Sequence, residues 1–359
     1  MMRFKVCASL CACAIAAVLL QTPALVAQAP SGGGAVSAAM PEPAPVKPVP
    51  GWKVPRTPDG HPDLQGYWNS LSFTPFERPE RFGMREFFTD EELQQFFKLG
   101  IDRSYEFTFQ NPADTPVYDA TVYALDPWQN GVRPNRRTSL VVSPETGRLP
   151  ALTPEARKRR SSAPPPRNRY DGPETAGSGL RCLTFGGPPI PAGRAYNHNT
   201  FILQGRDHIV FEYEWGSSTR VAPLASRPHT SGQIRFWRGE PRARWEGDTL
   251  VIESRNFQPG SEPDGSNPAT VKLTEWFTRL DADTMEYRYT VDDPSTWVRP
   301  WTVILPLFNV EGPMFEYACH EGNNGLVNIL EGARKLESEG KDPATEMQDS
   351  RLPATVLEQ

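Results

Sequence analysis

Apolar and polar residues alternate with a period of two over much of the second half of the chain. Met285, Tyr287, Tyr289 and Val291 are interleaved with Glu286, Arg288 and Thr290, the pattern of a strand with one buried and one wet face. Ile209, Phe211, Tyr213 and Trp215 repeat it against Val210, Glu212 and Glu214. Trp245 and Thr249 flank Glu246-Gly247-Asp248, which reads as a three-residue hairpin loop, and Leu250, Val251 and Ile252 continue the second arm. Asp281-Ala282-Asp283 separates a strand over 271–280 from the alternating one after it. Further strands are predicted at 200–204, 219–224, 233–237, 302–307 and 315–319, giving a meander of eight or more antiparallel strands. A sheet of that size protects its edges by closing or stacking, so the chain is expected to be mainly β, an antiparallel barrel or a sandwich.

Helices are few and short. Thr89-Asp90-Glu91-Glu92 has the form of a capping box, with Leu93, Phe96 and Phe97 on one face and Gly100 as the stop. Thr153-Pro154-Glu155 starts a second, basic helix with proline at its first position. Near the C-terminus Leu326, Ile329, Leu330, Ala333 and Leu336 follow helical spacing, so this helix is expected to lay an apolar stripe on the sheet.

The N-terminus changes the picture from fold to compartment. Arg3 and Lys5, an apolar run over 6–20 and the small residues up to Ala27 have the order of a secretory signal peptide over 1–27. The run is about 15 residues, short of the roughly 20 that span a bilayer, and no later stretch could span one. The protein is therefore expected in the periplasm or outside the cell. Residues 28–50 are rich in Pro, Ala and Gly and read as a flexible tether. A single β-rich domain is expected over 51–340, with a loop and helix insertion at about 81–193, and a loose polar tail over 341–359.

Three of five cysteines lie in the signal, leaving Cys182 and Cys319, which an oxidising compartment would pair. Such a bridge holds Cα atoms about 5.5 Å apart. It would bring Arg181 beside His320 and Glu321.

The formal charge is −5, and the segment 133–169 holds ten basic residues against Glu145 and Glu155. A solvated face explains that excess; the envelope contact it suggests is an alternative, and nucleic acid is not an expected partner of an exported chain. Signatures for zinc proteases, serine hydrolases, phosphate loops, dinucleotides and haem are absent from the sequence.

Candidate chemistry rests on His320, His229, Glu321 and Arg181, an imidazole pair for proton transfer with a carboxylate to orient it and a guanidinium for an anion. Glu212 and Glu214 share one strand side about 7 Å apart, a glycosidase-like spacing that any wet strand face shows. A divalent metal would need ligands such as His229, His320 and Glu321 converging from separate loops; local spacing does not demand it, and no cofactor is expected. Nine tryptophans are present, and Trp215, Trp245 and Trp297, with Arg227, are the expected ligand-binding residues for a small molecule or carbohydrate.

Four phrases, Thr57-Pro58-Asp59-Gly60-His61-Pro62-Asp63-Leu64-Gln65-Gly66-Tyr67-Trp68, Arg244-Trp245-Glu246-Gly247-Asp248-Thr249-Leu250-Val251, Asp293-Pro294-Ser295-Thr296-Trp297 and Tyr317-Ala318-Cys319-His320-Glu321-Gly322-Asn323, resemble those of a large family of uncharacterised exported bacterial proteins. That resemblance implies no activity. Gly66-Tyr67-Trp68 is also similar to the G-x-W of lipocalin-like barrels, which implies a barrel with a late helix packed on it, although the insertion over 81–193 departs from the lipocalin pattern. The leading expectation is a hydrolase or lyase using His320 and His229 on a small polar or carbohydrate-like substrate. The alternatives are a non-catalytic lipocalin-like binder of an apolar or aromatic ligand, and an envelope interaction protein.

Overall fold

The computed structural model describes residues 40–109, 132–162, 170–183, 188–192, 197–224 and 227–346. The expected signal peptide, the first part of the tether and residues 347–359 of the expected tail lie outside the described residues. Ten antiparallel strands make one sheet. They are β1 (Gly66–Asn69), β2 (Val141–Ser143), β3 (Asn199–Gln204), β4 (His208–Tyr213) and β5 (Ser218–Pro223), then β6 (Glu240–Glu246), β7 (Thr249–Arg255), β8 (Lys272–Arg279), β9 (Thr284–Asp292) and β10 (Trp301–Val310). The order is β5-β4-β3-β1-β10-β9-β8-β7-β6, with β2 also on β10.

That order is a meander from β3 to β10 whose two ends meet on β1. If β5 and β6 paired, the circuit would be complete. Their Cα atoms come within 8 Å, but no ladder joins them, so the fold is an open barrel with one unpaired seam. Phe211, Phe277, Tyr287, Ile252 and Leu305 point from five different strands into one core with Trp68 and Trp301. The barrel interior is filled with side chains.

Charge does across the seam what backbone does elsewhere. Arg220 of β5, 2% exposed, sends its guanidinium through the interior to Glu275 of β8, 0% exposed, at 2.5 and 3.1 Å, and to Ser254 Oγ of β7 at 2.7 Å. The Tyr287 hydroxyl donates to the same carboxylate at 2.8 Å and accepts from the Ile190 amide at 3.0 Å. Although burial works against the Arg220 charge, Glu275 beside it holds its pKa above the usual arginine value.

The helices depart from expectation in instructive places. In α1 (Asp90–Phe109) the capping box forms, since the Glu92 amide donates to Thr89 Oγ1 at 3.2 Å and the Thr89 amide to Glu92 Oε2 at 2.9 Å. Gly100 does not end this helix. A Cβ there would lie 2.3 Å from the Phe73 ring, so the glycine serves close packing. In α2 (Pro154–Ser161) Thr153 caps the Ala156 amide as expected.

The C-terminal helix, α3 (Asn324–Ser338), was expected to lie on the sheet by its apolar stripe. Only Ala333 of that stripe is fully buried, and none of it joins a described hydrophobic core cluster. Instead Asn323 donates to the Leu180 carbonyl at 2.8 Å and Arg334 to the Asp171 carbonyl at 3.3 Å, so the helix is held to the insertion. A further turn, α4 (Pro343–Glu346), falls where a loose tail was expected.

Two predicted strands are absent. Residues 315–319 form no strand; the Tyr317 amide instead donates to Ser217 Oγ at 2.6 Å, in the turn between β4 and β5. The segment 233–237 forms only a bridge from Phe236 to Phe257. Gly239, at φ +65°, lets the chain close over the Phe257 ring, where a Cβ would come within 2.8 Å. The hairpin loop between β6 and β7 is also one residue shorter than expected, with Glu246 and Thr249 paired across Gly247-Asp248. The packed chain begins before Trp52: Ala44 is buried, its amide bonds the Pro134 carbonyl at 2.9 Å, and the Val49 amide bonds the Leu280 carbonyl at 2.9 Å.

Candidate functional site

Along β5, Arg220 and Ala222 point inward, so Thr219, Val221 and Pro223 point out. The chain then runs through 227–239 before entering β6. Between this loop and the two edge strands lies a cleft of about 640 Å³, within the range of small-molecule sites. Arg220, Arg227, Arg238 and Arg242 line it against the single carboxylate of Glu240, the Arg220 guanidinium itself turning inward to Glu275. Phe236 and Trp237 supply its aromatic wall, 39% and 49% exposed.

The four arginines are not equivalent. Arg220 is neutralised by Glu275 at the floor. Arg242 pairs with Glu240 and also reaches the Pro241, Arg227 and Pro228 carbonyls. Arg238 lies over the Tyr213 ring at 5.1 Å and bonds Ser218 Oγ, and desolvation lowers its pKa. The Arg227 side chain is exposed and, among the described residues, has no hydrogen-bond or ion-pair partner. Positive charge is thus in excess, and one guanidinium is uncommitted.

Glu240 is the pivot that fixes the loop. It is 5% exposed and takes the Thr230 amide at 2.8 Å, Thr230 Oγ1 at 3.1 Å and Asn256 Nδ2 at 2.9 Å. Burial pushes its carboxyl up, but these donors together with Arg242 hold it below the usual carboxylate range. His229 stands between two carboxylates, Nδ1 3.3 Å from Glu240 Oε2 and Nε2 3.6 Å from Glu253 Oε1. With both ring nitrogens facing acids, it is placed as a strut under the loop.

Cys182 and Cys319 do bond, S–S 1.96 Å with Cα atoms 5.8 Å apart. The neighbourhood they create is open. His320 and Glu321 are exposed and Arg181 is half-buried. Among the described residues, no hydrogen bond or ion pair joins their side chains to one another or to any other group. His229 sits on the seam loop against Glu240 and Glu253, and among the described residues no interaction joins it to His320, Glu321 or Arg181. No group of three His, Cys, Asp or Glu suited to a metal ion occurs among the described residues.

The expected ligand-binding tryptophans divide likewise. Trp215 is half-buried with its ring 5.8 Å edge-on from His198, Trp245 stacks on His61 at 5.0 Å, and Trp297 is buried edge-on to Trp301 at 6.1 Å. None of the three lines the cleft. Arg227 does. Trp237, Arg238 and Arg242 were missed as site residues, because the apolar, aromatic stretch 233–237 reads as an ordinary strand and Arg242 as one position of the next.

The Arg-rich helix is committed to structure. Arg157 donates to the Leu152 carbonyl at 2.5 Å, Arg159 to Thr296 Oγ1 at 2.8 Å, and Arg160 lies over the Trp297 ring at 5.8 Å. Glu212 and Glu214 are likewise occupied, by the Thr219 hydroxyl and by the Asn199 amide at 3.1 Å. Compared with models of protein families and with curated proteins, the chain matches none.

Proposed function

We propose that this is an exported, non-catalytic binding protein that holds an anionic ligand with a flat apolar body in the cleft outside the β5–β6 seam. The observation that carries the reading is the uncommitted Arg227 guanidinium facing the same cleft as the half-exposed Trp237 ring. A guanidinium takes a carboxylate, sulfonate or phosphate by paired hydrogen bonds, and an indole face takes a planar apolar body. Binding rather than catalysis is favoured because His229 is not among the residues that line the cleft and, among the described residues, His320 has no partner to orient it. The barrel interior is packed, so a lipocalin-like ligand inside it is not part of the reading.

A fluorescent naphthalenesulfonate is a suitable probe, since it carries both features. Arg227→Gln is expected to weaken its binding about tenfold, the loss of one charge-assisted hydrogen bond pair, and Trp237→Ala by a similar factor. His320→Ala should leave affinity unchanged. Equal affinities for the parent, Arg227→Gln and Trp237→Ala would refute the reading.

A further inference from the structure

The loop that walls the cleft also holds apolar side chains in water. Ile234 is 51% exposed and does not line the cleft; Phe236, Trp237 and Val221 of β5, at its rim, are 39%, 49% and 49% exposed. Around them, residues 227–242 contain Arg227, Arg235, Arg238 and Arg242, and the single acid in that stretch, Glu240, is buried and paired.

This exposure is held rigidly. The Phe236 amide bonds the Asn256 carbonyl at 2.9 Å, the Phe236 carbonyl accepts from the Gln258 amide at 2.9 Å, and Asn256 Nδ2 bonds the Thr230 carbonyl at 3.3 Å. Arg235 is anchored to the Pro268 carbonyl at 2.5 Å. A pinned loop that keeps Ile, Phe and Trp in water pays solvation free energy unless something covers them.

We infer that loop 227–239 docks the protein on an anionic lipid surface, with Ile234 and Trp237 in the headgroup layer and Arg227 toward lipid phosphates. Charge complementarity selects this occupant. Exposed aromatic and aliphatic tips on a loop with an excess of arginines and one exposed guanidinium, Arg227, match an interface that is apolar below and negative above. The docking face and the cleft share a loop, which would place the cleft at the surface from which an anionic amphiphile could enter.

The test is co-sedimentation of the signal-processed chain with vesicles of phosphatidylcholine alone or mixed with phosphatidylglycerol. Binding to the mixed vesicles is expected to be about tenfold tighter, and to weaken as salt is raised. Ile234→Asp should lower that binding about tenfold or more while leaving naphthalenesulfonate affinity as in the parent. Vesicle binding that survives in a protein unable to bind the dye supports docking and sinks only the ligand reading. No sedimentation with either vesicle, equal sedimentation of parent and Ile234→Asp, or capture of a protein partner that vesicles do not displace would overturn the inference.

Discussion

Replacing Arg220 by Met tests how the open barrel is held together. The guanidinium spans the interior from the edge strand β5 to β7 and β8, and Glu275 at its far end is wholly buried. Without it that carboxylate keeps, among the described residues, the Tyr287 hydroxyl alone. Removing one member of a buried ion pair costs about 3 to 5 kcal/mol, because the remaining charge is left without compensation. Methionine fills much of the vacated volume, so the loss is chiefly electrostatic rather than a cavity effect. Urea unfolding followed by far-ultraviolet dichroism under oxidising conditions measures the change. The double variant Arg220→Met, Glu275→Leu should recover most of the loss, since two apolar side chains replace the pair without a stranded charge. A single variant within about 1 kcal/mol of the parent, or a double variant no more stable than the single, would refute the reasoning.

Two further perturbations follow from local geometry. Gly100→Ala should destabilise by about 1 to 3 kcal/mol despite alanine's better helix propensity, because the added methyl meets the Phe73 ring at 2.3 Å; a rise in the thermal midpoint would contradict this. His198 has its pKa lowered to about 4 by burial. The unfolded chain therefore takes up this proton first as pH falls from about 6.5, so its contribution is complete above that pH and is lost toward pH 4, up to about 3 kcal/mol. Urea midpoints of His198→Gln should vary less than the parent's between those limits, and parallel profiles would count against the assignment.

The strands were readable wherever one face of a segment is buried, as in β8 and β9, because burial then enforces a period of two. The strand expected at 233–237 is absent, because its β-favouring residues Ile234, Phe236 and Trp237 are exposed in a loop and imitate a strand by composition alone. The alternation missed β1 as part of the meander, since the placement of a four-residue strand between β3 and β10 is set by long-range pairing. The four family-like phrases prove to be architectural. In the first, Gly60 turns at φ +82° and the buried Trp68 Nε1 donates to the Leu64 carbonyl at 2.9 Å. In the second, Gly247 at φ +60° makes the hairpin turn.

The third phrase centres on Asp293, 1% exposed, which collects the Asn267 amide at 2.6 Å, Thr270 Oγ1 at 2.7 Å and Ser295 Oγ at 2.9 Å. The fourth carries the disulfide and the Asn323 cap of α3. The cysteine count did locate the bridge, but nothing in it could say whether side chains would converge there. The cleft arises because β5 and β6 approach without pairing, and that is a property of the whole circuit of strands.

The most direct test of the cleft as a binding site is a matched titration of the parent protein with a naphthalenesulfonate and with its uncharged naphthalene counterpart. The sulfonate is predicted to bind at least about tenfold more tightly, with the difference shrinking in Arg227→Gln. Equal affinity for the two, or a difference that Arg227→Gln leaves intact, would contradict it.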